Sequence, residues 1–143
     1  MAALAQMPTY KLGRAPTPDE IRAWDINVSA DGKGLPPGSG TAKEGAPIYA
    51  AKCAACHGKT GDNDGPTRGM RALVGKGPLK GGDVDPNKNV GNYYPFATTL
   101  WETINRTMPF YKEGSLSASE VYALTALLLY RNEIGRASCR ERV

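Results

Sequence analysis

The sequence predicts an all-α domain, a few helices joined by long loops, behind an extended N-terminal arm. Three observations carry the prediction. Helix-starting patterns recur, with Ser or Thr three residues before Glu at Thr17–Glu20, Thr41–Glu44 and Ser117–Glu120. No two stretches alternate apolar and polar residues as paired strands do. Gly and Pro make up 28 of the 143 residues, against a background of about 12 per cent. With 41% apolar and 8% aromatic residues, the chain can build one core, but a loop-rich one.

Residues 1–5 read as the remnant of an export signal. Ala3-Leu4-Ala5 before Gln6 has the A-x-A form of a cleavage site, without the charged and apolar regions that precede one. The mature chain is expected to begin near Gln6. Residues 6–40 form the arm and hold five Pro and five Gly. Thr17 caps a short helix there, with Pro18 first and Glu20 third. Ile21 and Trp24 share the face expected to dock it. Asp31-Gly32 and Pro36-Pro37-Gly38 predict turns. So few apolar residues cannot fold alone, so the arm must lie on the following domain or on a partner.

The domain proper spans residues 41–134. Its first helix runs to about Cys53. Thr41 and Glu44 have the form of a capping box, but Pro47 follows six residues later, and an interior Pro costs about 3 kcal/mol. A start with the cap at residues 44–46 places Pro47 in the first turn and is the one expected. Tyr49, Cys53 and Cys56 then share one face. Residues 58–97 read as long Gly-rich loops. A second helix covers about Leu100 to Arg106, capped by Thr99 with Glu102 third, and buries Leu100 and Ile104. A third runs from Ala118 to about Glu133, capped by Ser117 and Glu120, with Val121, Leu124 and Leu128 facing the core. Residues 135–143 lose this pattern and hold Cys139. They read as foreign or frame-shifted sequence, or as an exposed natural tail. So much loop needs something besides side chains at its centre.

Cys53-Ala54-Ala55-Cys56-His57 supplies it. C-x-x-C-H is the attachment signature of a c-type haem. Two thiols one helical turn apart each add to one of the two vinyl groups, and the adjacent His lies under the iron as axial ligand. A redox C-x-x-C has no use for the following His. A zinc half-site lacks a second ligand pair, and a Cys53–Cys56 disulfide leaves His57 without a role. His57 is the one His of the chain, which excludes sites built on two or three His.

The opposite axial position falls to Met, Lys, water or nothing. Of four Met, Met1 and Met7 lie in the signal remnant or the arm, and Met70 is too near His57. Met108 lies 51 residues past His57 and precedes Pro109. That length lets the chain pass round the haem edge, and Pro109 holds Met108 extended. His57/Met108 ligation raises the reduction potential and fills both axial sites, which suits outer-sphere electron transfer. The free N–H of His57 should donate to a backbone carbonyl, and Pro66, in Gly65-Pro66, is the expected acceptor. Tyr93, Tyr94 and Trp101 are candidates for the haem edge or propionates, with Arg68, Arg71 and Arg106 as candidate cations.

The net charge of +4, about +2 without residues 135–143, is no nucleic-acid footprint. The longest apolar-rich run, Val121 to Tyr130, is half the ~20 residues of a membrane span.

C-x-x-C-H-G, Gly65-Pro66, Met108-Pro109 and a closing amphipathic helix resemble class I cytochrome c over about residues 41–133. The resemblance implies that all-α fold around one covalent haem c. Its first and last helices would cross near Gly45, Tyr49, Val121 and Tyr122. Four further stretches are similar to the cytochrome subunits of bacterial sulfur-oxidising (Sox) sulfane dehydrogenases and the related sulfite dehydrogenases. These are Thr17-Pro18-Asp19-Glu20-Ile21 to Trp24-Asp25-Ile26, Gly34-Leu35-Pro36-Pro37-Gly38-Ser39-Gly40, Tyr94-Pro95-Phe96-Ala97-Thr98-Thr99-Leu100 and Ile104-Asn105-Arg106-Thr107-Met108-Pro109-Phe110. That likeness implies a periplasmic one-electron relay, without catalytic residues of its own, between a molybdenum dehydrogenase subunit and an acceptor cytochrome. A free soluble carrier for another dehydrogenase or an oxidase is the alternative. A haem enzyme or gas sensor would need an open iron site.

Overall fold

The computed structural model describes residues 12–25, 27–62, 71–78 and 87–135. Six helices follow in order: α1 (Pro18–Trp24), α2 (Ala42–Lys52), α3 (Ala54–His57), α4 (Val90–Tyr93), α5 (Ala97–Thr107) and α6 (Ala118–Arg131). Among the described residues there is no strand, and no helix is long and apolar enough to cross a membrane.

Capping chemistry starts α1, α2 and α6 alike. The Thr17, Thr41 and Ser117 hydroxyls accept from the N–H of Glu20, Glu44 and Glu120, and each Glu carboxylate accepts the cap residue's own N–H. α2 therefore starts at Ala42, not near residues 44–46, and Pro47 lies inside it. Pro47 forfeits one hydrogen bond, to the Lys43 carbonyl. Against that loss stand the cap, which contributes about 1 kcal/mol, and the burial of Ala42 and Gly45.

α5 also starts earlier than expected, at Ala97, with Phe96 rather than Thr99 at its cap. Thr99 is inside the helix, where its carbonyl accepts the Thr103 hydroxyl at 2.9 Å. Glu102 caps nothing on α5. Its carboxylate accepts the Val28 N–H of the arm at 3.3 Å and the Arg106 guanidinium at 3.0 Å. Leu100 and Ile104 are buried as expected, and Trp101 with them. α6 starts at Ala118 as expected and stops at Arg131, two residues early, with Asn132 as its C-cap.

The core forms where α2 and α5 pack on α6. α2 and α6 meet at Gly45, where a β-carbon would lie 2.2 Å from the Ala123 carbonyl oxygen and 3.0 Å from Leu127 Cβ. Tyr49, Val121 and Leu124 are almost completely buried. Tyr122, expected at this crossing, packs against the core and also reaches α5 and the arm. Its ring centroid is 5.5 Å from that of Trp101 on α5, and its hydroxyl donates to the Pro36 carbonyl at 2.9 Å.

The arm divides in two. Residues 27–40 strap onto α5 and α6. Beyond the Val28 and Pro36 contacts, Asn27 accepts from Arg106 at 2.8 Å, and Val28 and Leu35 pack against the core. The α1 part does not dock through Ile21, which is 52% exposed. The Trp24 side chain lies outside the described residues. Ion pairs Arg14–Glu20 and Arg22–Asp19 suit α1 to a solvated position.

Gly45→Ala is expected to cost about 2–4 kcal/mol, because main chain cannot yield as a side chain would. Thermal unfolding should show a fall of roughly 10 °C, and an unchanged midpoint would mean the crossing is looser than described. Lys52 on α2 bonds Glu120 on α6 at 2.6 Å, and this contact, with the Ser117 cap, holds the Glu120 carboxyl below its ordinary 4.5. A carboxyl depressed on folding stabilises the fold above its unfolded value and loses that contribution as pH falls through the folded one. Stability should therefore decline below about pH 4.5 less steeply in Glu120→Gln, as measured by denaturant titration across that range.

Candidate haem site

α2 ends at Lys52 because Cys53 leaves helical geometry (φ −123°, ψ −36°). α3 follows as a single turn. The amides of Cys56 and His57 both donate to the Cys53 carbonyl, at 3.1 and 3.0 Å. Two thiols and the imidazole thus occupy one turn. The unbroken face expected for Tyr49, Cys53 and Cys56 is interrupted at Cys53, but the one-turn spacing of the thiols survives. Gly58 ends the turn at φ +83°, where a side chain is strained. Its carbonyl accepts the buried Tyr49 hydroxyl at 3.0 Å.

The next loop is tied to the end of α6. Gly61 accepts from the Leu73 and Val74 amides, and Leu73 accepts from Val90. Asn132 closes the arrangement. Its amide nitrogen donates to the Leu73 and Leu128 carbonyls at 3.0 and 2.8 Å, and its oxygen accepts from Gly75 N–H at 3.2 Å. Neither the Tyr49 hydroxyl contact nor the Asn132 bridge is legible in the sequence. The only signal is an Asn just past a helix end, a common cap.

Burial pushes the Cys53 thiol up to about 11, against the opposing charges of Lys52 and Arg131 and with Cys56 adding to the rise. A redox C-x-x-C works by the reverse shift, toward thiolate. No disulfide joins Cys53 to Cys56, and no group of three or more Cys, His, Asp or Glu poised for a metal occurs among the described residues. Burial also holds His57 below its ordinary 6.5, with the Arg71 backbone pulling the other way. Burial thus favours the neutral imidazole, the form that ligates iron. Its Nδ1 is buried, with no group in good hydrogen-bonding geometry among the described residues.

The other expected site residues are placed as follows. Met108 caps the end of α5, extended (φ −127°, ψ 147°) as Pro109 requires, with its half-buried side chain against the core. Tyr94 packs against the core too. Tyr93 is 37% exposed, set edge-on to Tyr94 and carrying the Lys88 ammonium over its ring at 3.1 Å. Trp101 is buried, and its indole N–H has no acceptor among the described residues. Arg106 is engaged by Glu102 and Asn27, so its guanidinium serves the arm. Pro66, Arg68 and Met70 lie outside the described residues, as do residues 1–11 and Cys139.

These residues fit a c-type haem. The two thiols share a turn with an imidazole whose neutral form is favoured by burial, beside half-buried apolar side chains and an indole N–H with no acceptor among the described residues. A family model described as "Cytochrome C oxidase, cbb3-type, subunit III" matches residues 40–128. The chain belongs to this cytochrome c family. The cytochrome therefore carries covalent haem c with iron, and Cys53, Cys56 and His57 fit the attachment motif. Among solved structures it is similar to "Crystal Structure of the Sulfane Dehydrogenase SoxCD from Paracoccus pantotrophus", at 38% identity and a TM-score of 0.72. That match covers 90% of this chain and 61% of the other, so the cytochrome spans about three fifths of its neighbour's length. No curated protein matches it.

Replacing both Cys53 and Cys56 by Ala should leave a haem that acid-acetone extracts completely, while either single variant retains it. Mass spectrometry of the intact chain checks this, and extractable haem in the parent would contradict the attachment.

Proposed function

We propose that this cytochrome relays single electrons from a molybdenum-containing sulfur-compound dehydrogenase subunit to an acceptor cytochrome in the periplasm. The observation that carries the proposal is the reach of the likeness to SoxCD. Residues 41–134 make up only about two thirds of the chain, so a match over 90% of it extends well into the arm. A free carrier has no need of an arm. In this one, α1 borders a groove lined by Arg14, Pro16, Glu20, Ile21, Asp25 and Asn27, and Ile21 presents an apolar side chain to it. The dehydrogenase subunit is its proposed occupant.

When bound, haem c supplies a one-electron iron couple. The chain's part is to hold that iron alike in both oxidation states. Cys53 and Cys56 would tether the haem, and His57 and Met108 are the residues proposed to hold its iron. With Met108 held extended by its own backbone, the ligand set changes little between states, and no side chain needs to move a proton. For the free His57 N–H, Pro66 is the proposed backbone acceptor, and the Arg71 backbone is a described neighbour. Of the three aromatics, Trp101 has the N–H suited to a propionate. Tyr93 and Tyr94 are proposed at the haem edge.

Two experiments test this reading. The ferric protein should show the weak far-red band of sulfur-to-iron charge transfer, and Met108→Ala should lose it. A parent without that band would remove Met108 from the iron. For the partner, deleting residues 12–25 is the informative truncation, since residues 27–40 hold α5 and α6. It should leave the melting temperature within about 2 °C while weakening binding to the molybdenum subunit at least tenfold, about 1.4 kcal/mol. Unchanged affinity would favour the free carrier.

A further inference from the structure

The last turn of α6 sets one cation beside the attachment turn. Arg131 lays its guanidinium over the Tyr49 ring, 4.3 Å from the centroid, and donates to the Thr60 carbonyl at 3.1 Å. The Tyr49 ring is 1% exposed, and its hydroxyl is bonded to the carbonyl of Gly58, the residue after His57. Arg131 thus touches both the side chain bonded to the Gly58 carbonyl and the loop that follows it. Nearby cations are matched by carboxylates, Lys52 by Glu120 and Lys76 by Glu133. Arg131 has an aromatic face and a carbonyl instead, and pairs with no carboxylate among the described residues. A half-buried charge without a counter-charge is screened less than a surface one.

We propose that the fixed charge of Arg131, held in place by Tyr49 and Thr60, raises the reduction potential of the haem carried on Cys53, Cys56 and His57. The proposal rests on attachment at that turn and is independent of the redox partner. Ferric iron bears one more positive charge than ferrous iron, so a cation fixed nearby disfavours the oxidised state. Arg131 acts through space and touches no reacting atom, which makes it a positioning and tuning residue.

The test is optical redox titration of the parent holoprotein and of Arg131→Met, Arg131→Gln and Arg131→Lys, at low and high ionic strength, with thermal midpoints measured beside it. Both neutral variants should move the ferric-to-ferrous ratio at fixed ambient potential about threefold toward ferric, or ~30 mV. The shift should shrink in high salt, and the Lys variant should keep most of the parent's potential. Gln retains a donor for Thr60, so it serves where Met fails to fold. Neutral variants that melt earlier at an unchanged potential would overturn the proposal and reduce Arg131 to a packing residue. So would a Lys variant shifted as far as Met, since charge would then not be the cause. A parent lacking the absorbance of covalent haem would overturn the attachment reading itself, and this proposal with it.

Discussion

At Gly45 two helices approach so closely that the main chain of α6 fills the space a β-carbon would take. This is contact between backbones, without the rotamer freedom that lets side chains slide. One turn further along α2 the same closeness buries Tyr49, and Tyr49 reaches the Gly58 carbonyl. The turn carrying Cys53, Cys56 and His57 is thereby fixed relative to α6, not merely to its own helix. The end of α6 repays the contact, with Arg131 on the Tyr49 ring and Asn132 on the Leu73 loop. Placement of the attachment turn thus descends from a missing methyl group two turns upstream.

The arm shows how a segment with little apolar content is used twice. Its second half borrows partners from the domain. Glu102, which would otherwise be a solvated helix carboxylate, takes the Val28 N–H, and Tyr122 gives its hydroxyl to Pro36. Each of these bonds satisfies a backbone group that an extended chain leaves open. Among the described residues of the first half, Arg14 pairs with Glu20 and Arg22 with Asp19, and Ile21 stays half in water. A helix capped at both the hydroxyl and the carboxylate, with Ile21 left half in water, is stable locally. That combination suits a surface held ready for another molecule.

How much was legible in the sequence depended on the range of the interaction. Caps at Thr17 and Ser117 are local, and the spacing reads them directly. The thiol spacing is local as well and survives the break at Cys53. Errors arose where a distant contact outweighed a local preference. Pro47 argues for a late start to α2 only while the burial of Ala42 and Gly45 against α6 is unknown. Thr99 looks like a cap only until Glu102 is seen to serve Val28, more than seventy positions earlier in the chain. Tyr122 carries the helical period of the crossing, yet the arm and Trp101 claim its ring. Side chains that act across the fold, Asn132 and Arg131 above all, leave almost no local trace.

The apolar residues themselves show why such a loop-rich chain folds. Full burial is confined almost wholly to α2, α5 and α6, with Val90 and Leu116 beside them. Leu73, Tyr94, Met108 and Cys53 only line the edge of that core, and the Trp101 N–H is buried with nothing among the described residues to accept it. An unsatisfied buried donor costs about 1–3 kcal/mol, a large share of the roughly 5–15 kcal/mol by which a domain is stable. On the proposed placement, a flat apolar ring system bearing two carboxylates answers both deficits. A bound haem would cover the half-exposed edge, and a propionate would be an acceptor suited to the indole. The cofactor would then be the part of the core that the sequence does not encode, which suits a domain so rich in Gly and Pro.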